Sequence, residues 1–201
     1  FNYQTILISA NQQPQSATMQ SFAVAGDGAV GKTSLIVQLA NSSWEQIMVQ
    51  PAYESYECLI DINNEPTQVS IYDTFGQDDF SPTRDLIFSK VSAILLCYSI
   101  ISPTSFDNIT AKWLPEIRLN NPKCKIILVA TKADLRNNES VLKRLTERGL
   151  SPISTKQGIT LAKSIGSLFI ETDKTVSSSD FSSLLALKNK KRGVRKACVI
   201  S

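Results

Sequence analysis

The stretch "GDGAVGKTS", from Gly26 to Ser34, decides the fold. It matches the pattern G-x-x-x-x-G-K-[ST] and stands between a short apolar run, "SFAVA", and a run with helical character. Glycines in such a turn let backbone N–H groups point at phosphate oxygens, and the N-terminus of the following helix adds partial positive charge. Lys32 is expected to reach the phosphates, and the hydroxyl of Thr33 to bind Mg²⁺. The predicted contacts of this phosphate-binding loop with a nucleotide are Gly26, Asp27, Gly28, Ala29, Val30, Gly31, Lys32, Thr33 and Ser34.

Outward from this loop, strand-like and helix-like runs alternate along the chain. The strand-like runs are "SFAVA", "YECLIDI", "TQVSIYD", "AILLCYSI", "KIILVAT" and "SLFIET". The fourth and fifth are apolar without alternation, as expected for strands buried on both faces of a parallel sheet. Helix-like runs cover 31–40, 105–119, 140–148, 155–165 and approximately 179–188. We predict an α/β fold of the P-loop NTPase type, with a mostly parallel six-stranded sheet flanked by helices.

The composition of the 201-residue chain indicates one soluble domain. The absence of histidine excludes Ser-His-Asp and Cys-His catalysis and most transition-metal sites. The four cysteines are scattered without a C-x-x-C pair, which argues against zinc and a disulfide framework and favours a reducing compartment. The longest apolar run, residues 93–98, is far too short to span a membrane.

Two further motifs follow strand-like runs and narrow the choice of nucleotide. In "YDTFGQ", Asp73 is placed to hold Mg²⁺ through water, Gly76 to offer its N–H to a γ-phosphate, and Gln77 to orient a water molecule. In "TKAD", the carboxylate of Asp134 can accept from both the N1–H and the exocyclic amine of guanine. Adenine lacks that pair of donors, so the motif favours a guanine nucleotide.

The segments "GDGAVGKTSL", "SPTSFDNITAKWLPEI", "TKADLR" and the terminal "CVIS" resemble a small GTPase of the Ras superfamily, and specifically the Rho family. Residues 136–152 resemble the helical insert that other Ras-like families lack. The resemblance implies a GTPase domain over residues 19–186, which binds GTP or GDP with Mg²⁺ and acts as a signalling switch with roles at the cytoskeleton. Residues 1–18, which are uncharged and polar, are expected to be a disordered extension.

The resemblance also assigns roles to single residues. Lys32 and Gln77 are expected to act in GTP hydrolysis, and Thr33 and Asp73 to bind Mg²⁺. Trp44 falls on the family's aromatic residue beside the guanine base, although packing within its loop is an alternative. The expected nucleotide contacts outside the phosphate loop are Trp44, Gly76, Thr131, Lys132, Asp134, Asp173 and Lys174.

The sequence departs from the family at two positions near the γ-phosphate. Pro51 stands where the family's switch I threonine binds Mg²⁺ and the γ-phosphate, and proline has neither an N–H nor a side-chain ligand. Phe75 replaces a small alanine beside Gly76. One hypothesis is therefore a GTP-binding switch with weak or absent Mg²⁺-dependent hydrolysis. The alternative is a membrane-anchored pseudo-GTPase, a binding module that does not distinguish GDP from GTP.

A third departure concerns the guanine site. Asp173 and Lys174 replace a serine and an alanine of the family, which brings a second carboxylate near Asp134 and puts base affinity in question. An ATPase or kinase of the P-loop type is nevertheless disfavoured by Asp134 and Trp44.

The ends of the chain and the strand after Pro51 predict partners. The family's effector-reading region falls on Tyr53, Glu54 and Tyr56, for which packing on the strand surface is the alternative. The six basic residues in the tail, 187–201, leave 15 basic against 18 acidic residues in the body, and "CVIS" is a prenylation signal on Cys198. We expect anchoring to an anionic membrane, on the cytoplasmic face of the plasma membrane with a cytosolic pool, and no nucleic-acid binding. The resemblance implies a monomer with effectors, exchange factors, GTPase activators and dissociation inhibitors as partners.

Overall fold

A seven-stranded sheet forms the centre of the protein. The computed structural model describes residues 18–40, 45–50, 53–62, 65–74 and 81–173. The strands are β1 (Thr18–Ala25), β2 (Glu45–Gln50), β3 (Tyr53–Ile62), β4 (Glu65–Thr74), β5 (Ala93–Ser99), β6 (Lys125–Thr131) and β7 (Leu168–Glu171). Their order is β2-β3-β4-β1-β5-β6-β7. Strands β4, β1, β5, β6 and β7 are mutually parallel, whereas β2 pairs antiparallel with β3, and β3 with β4.

The predicted fold class is confirmed, and all six predicted strands are present. The number of strands is corrected from six to seven, because Glu45–Gln50 forms an additional strand at the edge of the sheet. Its sequence, "EQIMVQ", lacks the apolar alternation of a half-buried strand. Its extended form comes instead from pairing with β3, which single-sequence patterns do not reveal.

Six α-helices accompany the sheet in the described residues. They are α1 (Lys32–Ala40), α2 (Ser81–Lys90), α3 (Pro103–Asn108), α4 (Leu114–Asn120), α5 (Glu139–Thr146) and α6 (Thr155–Ser164). A π-helical turn, Ile109–Trp113, joins α3 to α4, and a 3₁₀ turn, Ala133–Leu135, follows β6. Among these described elements no helix has the length and apolar character needed to cross a membrane.

The predicted helix at 179–188 lies outside the described residues, and α2 was not predicted. The apolar residues of α2 are consecutive, at positions 86–88, rather than spaced by three and four as in a recognisable amphipathic helix. Ile87 and Phe88 are nevertheless buried, so contacts with the rest of the fold stabilise this helix.

The core lies on both faces of the sheet because β1 and β5 are buried on both sides. In β1, Phe22 and Val24 join the cluster beneath α1, whereas Ala23 and Ala25 join the cluster on the opposite face. Every residue of β5 is buried. This burial explains why the sequences of the central strands lack alternation. It also fixes the carboxyl ends of β1 and β6, where the phosphate loop and the "TKAD" motif follow.

Side-chain caps define the two helices that follow β6. The Asn138 side chain accepts a hydrogen bond from the Val141 N–H at 3.1 Å and caps α5. Ser154 and Gln157 form a reciprocal capping box at the start of α6. The segment 136–152 therefore contains a defined helix, whose Val141 and Leu145 side chains are buried.

Candidate nucleotide-binding site

The loop between β1 and α1 has a backbone that only particular residues allow. Gly26 has φ = 137° and Gly31 has φ = 105°, while Ala29 adopts a left-handed conformation at φ = 58°. A Cβ atom on Gly26 would lie 2.2 Å from the carbonyl oxygen of Cys97 on β5. Glycine at position 26 is therefore required both by backbone conformation and by the close approach of β5.

The Lys32 side chain forms hydrogen bonds with the backbone of this loop. Its Nζ donates to the carbonyl oxygens of Gly26 at 3.0 Å and Asp27 at 2.8 Å. The residue is 9% exposed, and burial lowers the pKa of its amine, with Asp73 and Asp27 opposing that shift. An amine so placed holds the loop in a ring and presents its positive charge where phosphate oxygens would lie.

The two predicted Mg²⁺ ligands are brought together. The hydroxyl of Thr33, at the start of α1, donates a hydrogen bond to Oδ2 of Asp73, near the end of β4. Asp73 is buried at 8% exposure. Hydroxyl and carboxylate oxygens are the hard donors that Mg²⁺ prefers, usually with phosphate oxygens completing its shell. These residues therefore fit a magnesium ion bound together with a nucleotide.

Residues of the "TKAD" motif form hydrogen bonds with the backbone of the phosphate loop. The Thr131 hydroxyl lies 2.6 Å from the carbonyl oxygen of Val30 and 3.0 Å from that of Tyr98. Lys132 has φ = 62°, and its Nζ donates to the carbonyl oxygen of Ala29 at 2.7 Å. Thr131 and Lys132 thus hold the backbone of the loop at Val30 and Ala29.

A cavity of about 460 Å³ opens beside the loop at the carboxyl ends of β6 and β7. It is large enough for a heterocyclic base, since small-molecule pockets commonly measure about 300–1,000 Å³. The predicted base contacts Asp134 and Asp173 both line it. The complete lining consists of Gly31, Ser34, Leu35, Gln38, Thr131, Lys132, Asp134, Leu135, Thr172 and Asp173.

Several predicted site residues lie outside the described part of the chain. They are Trp44, Pro51, Phe75, Gly76, Gln77, Lys174 and Cys198. In the predicted effector region, β3 begins at Tyr53, and the backbones of Tyr53 and Glu54 pair with those of Thr74 and Asp73. Tyr56 is only 8% exposed and belongs to the core beneath α1, which agrees with the packing alternative.

Arg136 is a supporting residue that the sequence reasoning did not identify. Its guanidinium forms hydrogen bonds of 2.6 and 2.8 Å to the carboxylate of Glu171, and another of 2.9 Å to Thr155. The hydrogen bond with Glu171 is the main cause that raises the pKa of Arg136. Since Glu171 ends β7 and Thr155 begins α6, these hydrogen bonds join the end of β7 to α6. The signal was available in "TKADLR", where an arginine follows the base motif.

Comparisons with known proteins show which family this chain belongs to. Residues 21–182 match the family model described as "Ras family". A human protein, "Rho-related GTP-binding protein RhoD", is 33% identical over 160 residues, which cover 80% of this chain and 76% of that protein. The matched residues include the phosphate loop, Asp73, the "TKAD" motif and the segment 136–152. The chain therefore belongs to the Ras family, and within it to the Rho family of small GTPases.

Proposed function

We propose that this protein is a GTP-binding signalling switch whose Mg²⁺-dependent hydrolysis of GTP is weak. The carrying observation is that the phosphate loop, Lys32 and the Thr33–Asp73 pair are assembled, while position 51 supplies proline where the family has threonine. The groups for nucleotide binding are thus present, whereas position 51 lacks both the hydroxyl for the metal and the N–H for the γ-phosphate.

In this proposal each residue of the site has a specific role in GTP binding or hydrolysis. Lys32 neutralises phosphate charge, and Asp134 accepts from the guanine edge in the cavity between α1 and β7. Thr33 and Asp73 would hold Mg²⁺, which supplies electrostatic stabilisation of phosphate charge. Gln77 orients the attacking water. Pro51 supplies no hydroxyl and no N–H, and Phe75 puts a bulky residue next to Gly76 in the sequence, so the γ-phosphate is expected to be held less firmly.

Single-turnover hydrolysis of GTP tests this proposal. We expect slow hydrolysis by the wild type with little dependence on Mg²⁺, and a gain of about 10²–10³-fold in Pro51→Thr/Phe75→Ala, the size typical of one restored transition-state contact. Adding Gln77→Ala to that variant should remove the gain, which controls for changes in folding.

A normal Mg²⁺-dependent rate in the wild type would contradict weak hydrolysis. Suppose that the wild type and Pro51→Thr/Phe75→Ala both bind GDP and a GTP analogue, and that a partner protein binds the two nucleotide complexes with equal affinity. That result would instead favour the pseudo-GTPase module. Identifying the nucleotide carried by the purified protein separates these outcomes further, since retained GTP indicates defective hydrolysis.

We also propose the domain organisation and location that the sequence predicts. Residues 19–186 form the GTPase domain with a Rho-type insert at 136–152, and residues 187–201 form a basic tail ending in a prenylation signal. A single lipid chain anchors marginally, and the six basic residues add attraction to anionic lipid. In cells, Cys198→Ser should move the protein from the plasma membrane to the cytosol. Retention of the variant at the membrane would contradict the lipid anchor.

A further inference from the structure

The carboxylate of Asp27 turns away from the phosphate side of its loop and towards the helix layer. Its Oδ2 accepts a hydrogen bond from Nδ2 of Asn108, and its Oδ1 accepts one from Nε1 of Trp113, both at 2.7 Å. Both oxygens of a phosphate-loop residue are therefore engaged by side chains that are more than 80 residues away in sequence. Hydrogen bonds to a charged acceptor are stronger than those between neutral groups.

The π-helical turn makes this double contact possible. Asn108 ends α3 and Trp113 ends the turn, so the two donors are five residues apart. In an α-helix with 3.6 residues per turn, residues five apart point to different sides. In the π turn, where backbone hydrogen bonds join residues i and i+5, such residues come to the same side. The Leu114 N–H donating to the Ile109 carbonyl shows this spacing directly.

The Trp113 ring is held by the neighbouring helix α2. Trp113 is fully buried, and the guanidinium carbon of Arg84 lies 5.3 Å from its ring centroid. Arg84 is itself 1% exposed and pairs with Glu116 at 2.7 Å between Nε and Oε1. The position of the indole N–H thus depends on α2, the helix that follows the "DTFGQ" segment.

We propose that Asn108 and Trp113 are positioning residues for the phosphate loop, and that they slow nucleotide dissociation by holding Asp27. The inference rests on the nucleotide binding in the proposed function and adds a set of residues that controls its kinetics. Lys32 holds the loop from within and Lys132 from the base side, whereas Asp27 fixes the side that faces the helices. Release of that side frees the loop to leave the conformation that encloses phosphate.

A reciprocal exchange of the two side chains tests the inference. Asp27→Asn places an amide opposite the amide of Asn108, and Asn108→Asp places two carboxylates opposite each other. We expect each single variant to release a fluorescent GDP analogue on the order of tenfold faster in the presence of Mg²⁺, as for one lost charge-assisted hydrogen bond. The double variant restores a donor facing an acceptor and should return the rate to within about twofold of the wild type.

Simple electrostatics makes the opposite prediction for one of these variants. Asp27→Asn removes a negative charge close to the phosphates, so charge alone would slow dissociation.

Trp113→Phe, which keeps a buried ring but loses the donor, should also accelerate release. Thr110→Ala, at an exposed position of the same π turn, is the matched control and should not change the rate. Unfolding free energies measured in parallel separate loop positioning from general loss of stability.

Slower release by Asp27→Asn, or a double variant no closer to the wild type than the singles, would overturn the inference. Normal binding of the analogue with unchanged rates in all variants would also overturn it while leaving the proposed function intact. Failure of the wild type to bind the analogue would overturn both.

Discussion

At the scale of single residues, Gly26 carries the strictest requirement in the site. It combines φ = 137° with a position where any Cβ would strike the Cys97 carbonyl at 2.2 Å. Gly28, two residues later in the same loop, has open space around its missing Cβ. Glycine is therefore required at position 26 by the backbone conformation and by the contact with β5, whereas no neighbouring atom requires it at position 28.

We expect Gly26→Ala to lower the free energy of unfolding by about 2 kcal/mol or more, because backbone strain alone costs about 1–3 kcal/mol and the contact adds to it. Gly28→Ala should change it by less than about 0.5 kcal/mol. Chemical denaturation of the nucleotide-free proteins measures both values. Equal losses in the two variants would show that the contact with β5 does not determine the requirement at position 26.

Sequence patterns predicted much of the site at this scale, and failed where a residue's role depends on distant packing. Lys32, Thr33 and Asp73 were predicted because fixed spacing and a strand end determine where they lie. Asp27 was predicted as part of the nucleotide-binding loop, and the hydrogen bonds of its carboxylate to Asn108 and Trp113 were not predicted. No short-range rule joins residues more than 80 positions apart through a π turn.

At the scale of elements, α2 is attached to α4 by a buried ion pair. Arg84 lies on α2 and Glu116 on α4, with a second contact of 3.4 Å from Nη2 to Oε2. A buried charge in the middle of a helix gives no apolar pattern, and this is one reason why α2 escaped prediction while the central strands did not. The edge strand β2 was also not predicted from the sequence, because pairing with β3 determines its conformation.

Removing one member of this pair should be more harmful than removing both. We expect Arg84→Met to lower the free energy of unfolding by about 3 kcal/mol, because Glu116 is left largely buried without its partner. Arg84→Met/Glu116→Leu should recover most of that loss. Urea denaturation of the wild type, Arg84→Met, Glu116→Leu and the double variant gives the coupling energy, and additive effects of the single changes would contradict a dominant role for the ion pair.

At the scale of the whole molecule, the thiol of Cys97 makes the free energy of unfolding depend on pH in the alkaline range. Cys97 lies fully buried in β5, and burial is the main cause that raises its pKa from 9.0 to about 12. Between these two values the folded protein keeps a proton that the unfolded chain has lost. Stability therefore falls as pH rises above 9.

The comparison of wild type with Cys97→Ala isolates this contribution, since other titrating groups are present in both proteins. From pH 8 to pH 10 the wild type should lose about 1.4 kcal/mol of unfolding free energy relative to the variant. Guanidinium denaturation at the two pH values measures the difference. A constant difference between the proteins would mean that the thiol titrates alike in the folded and unfolded chains.

The pairing of β3 with β4 has a consequence for how an outside partner could sense the nucleotide. Glu54 lies opposite Asp73 in the ladder, and Tyr53 lies opposite Thr74, whose hydroxyl donates to the Val24 carbonyl at 2.7 Å. Adjacent strands are about 5 Å apart. A protein that binds at the start of β3 would therefore lie one strand away from Asp73 and two strands away from β1, the strand that leads into the phosphate loop. A force applied at β3, which lies between the edge strand β2 and β4, would therefore reach the strand before the phosphate loop through two hydrogen-bonded strand pairs.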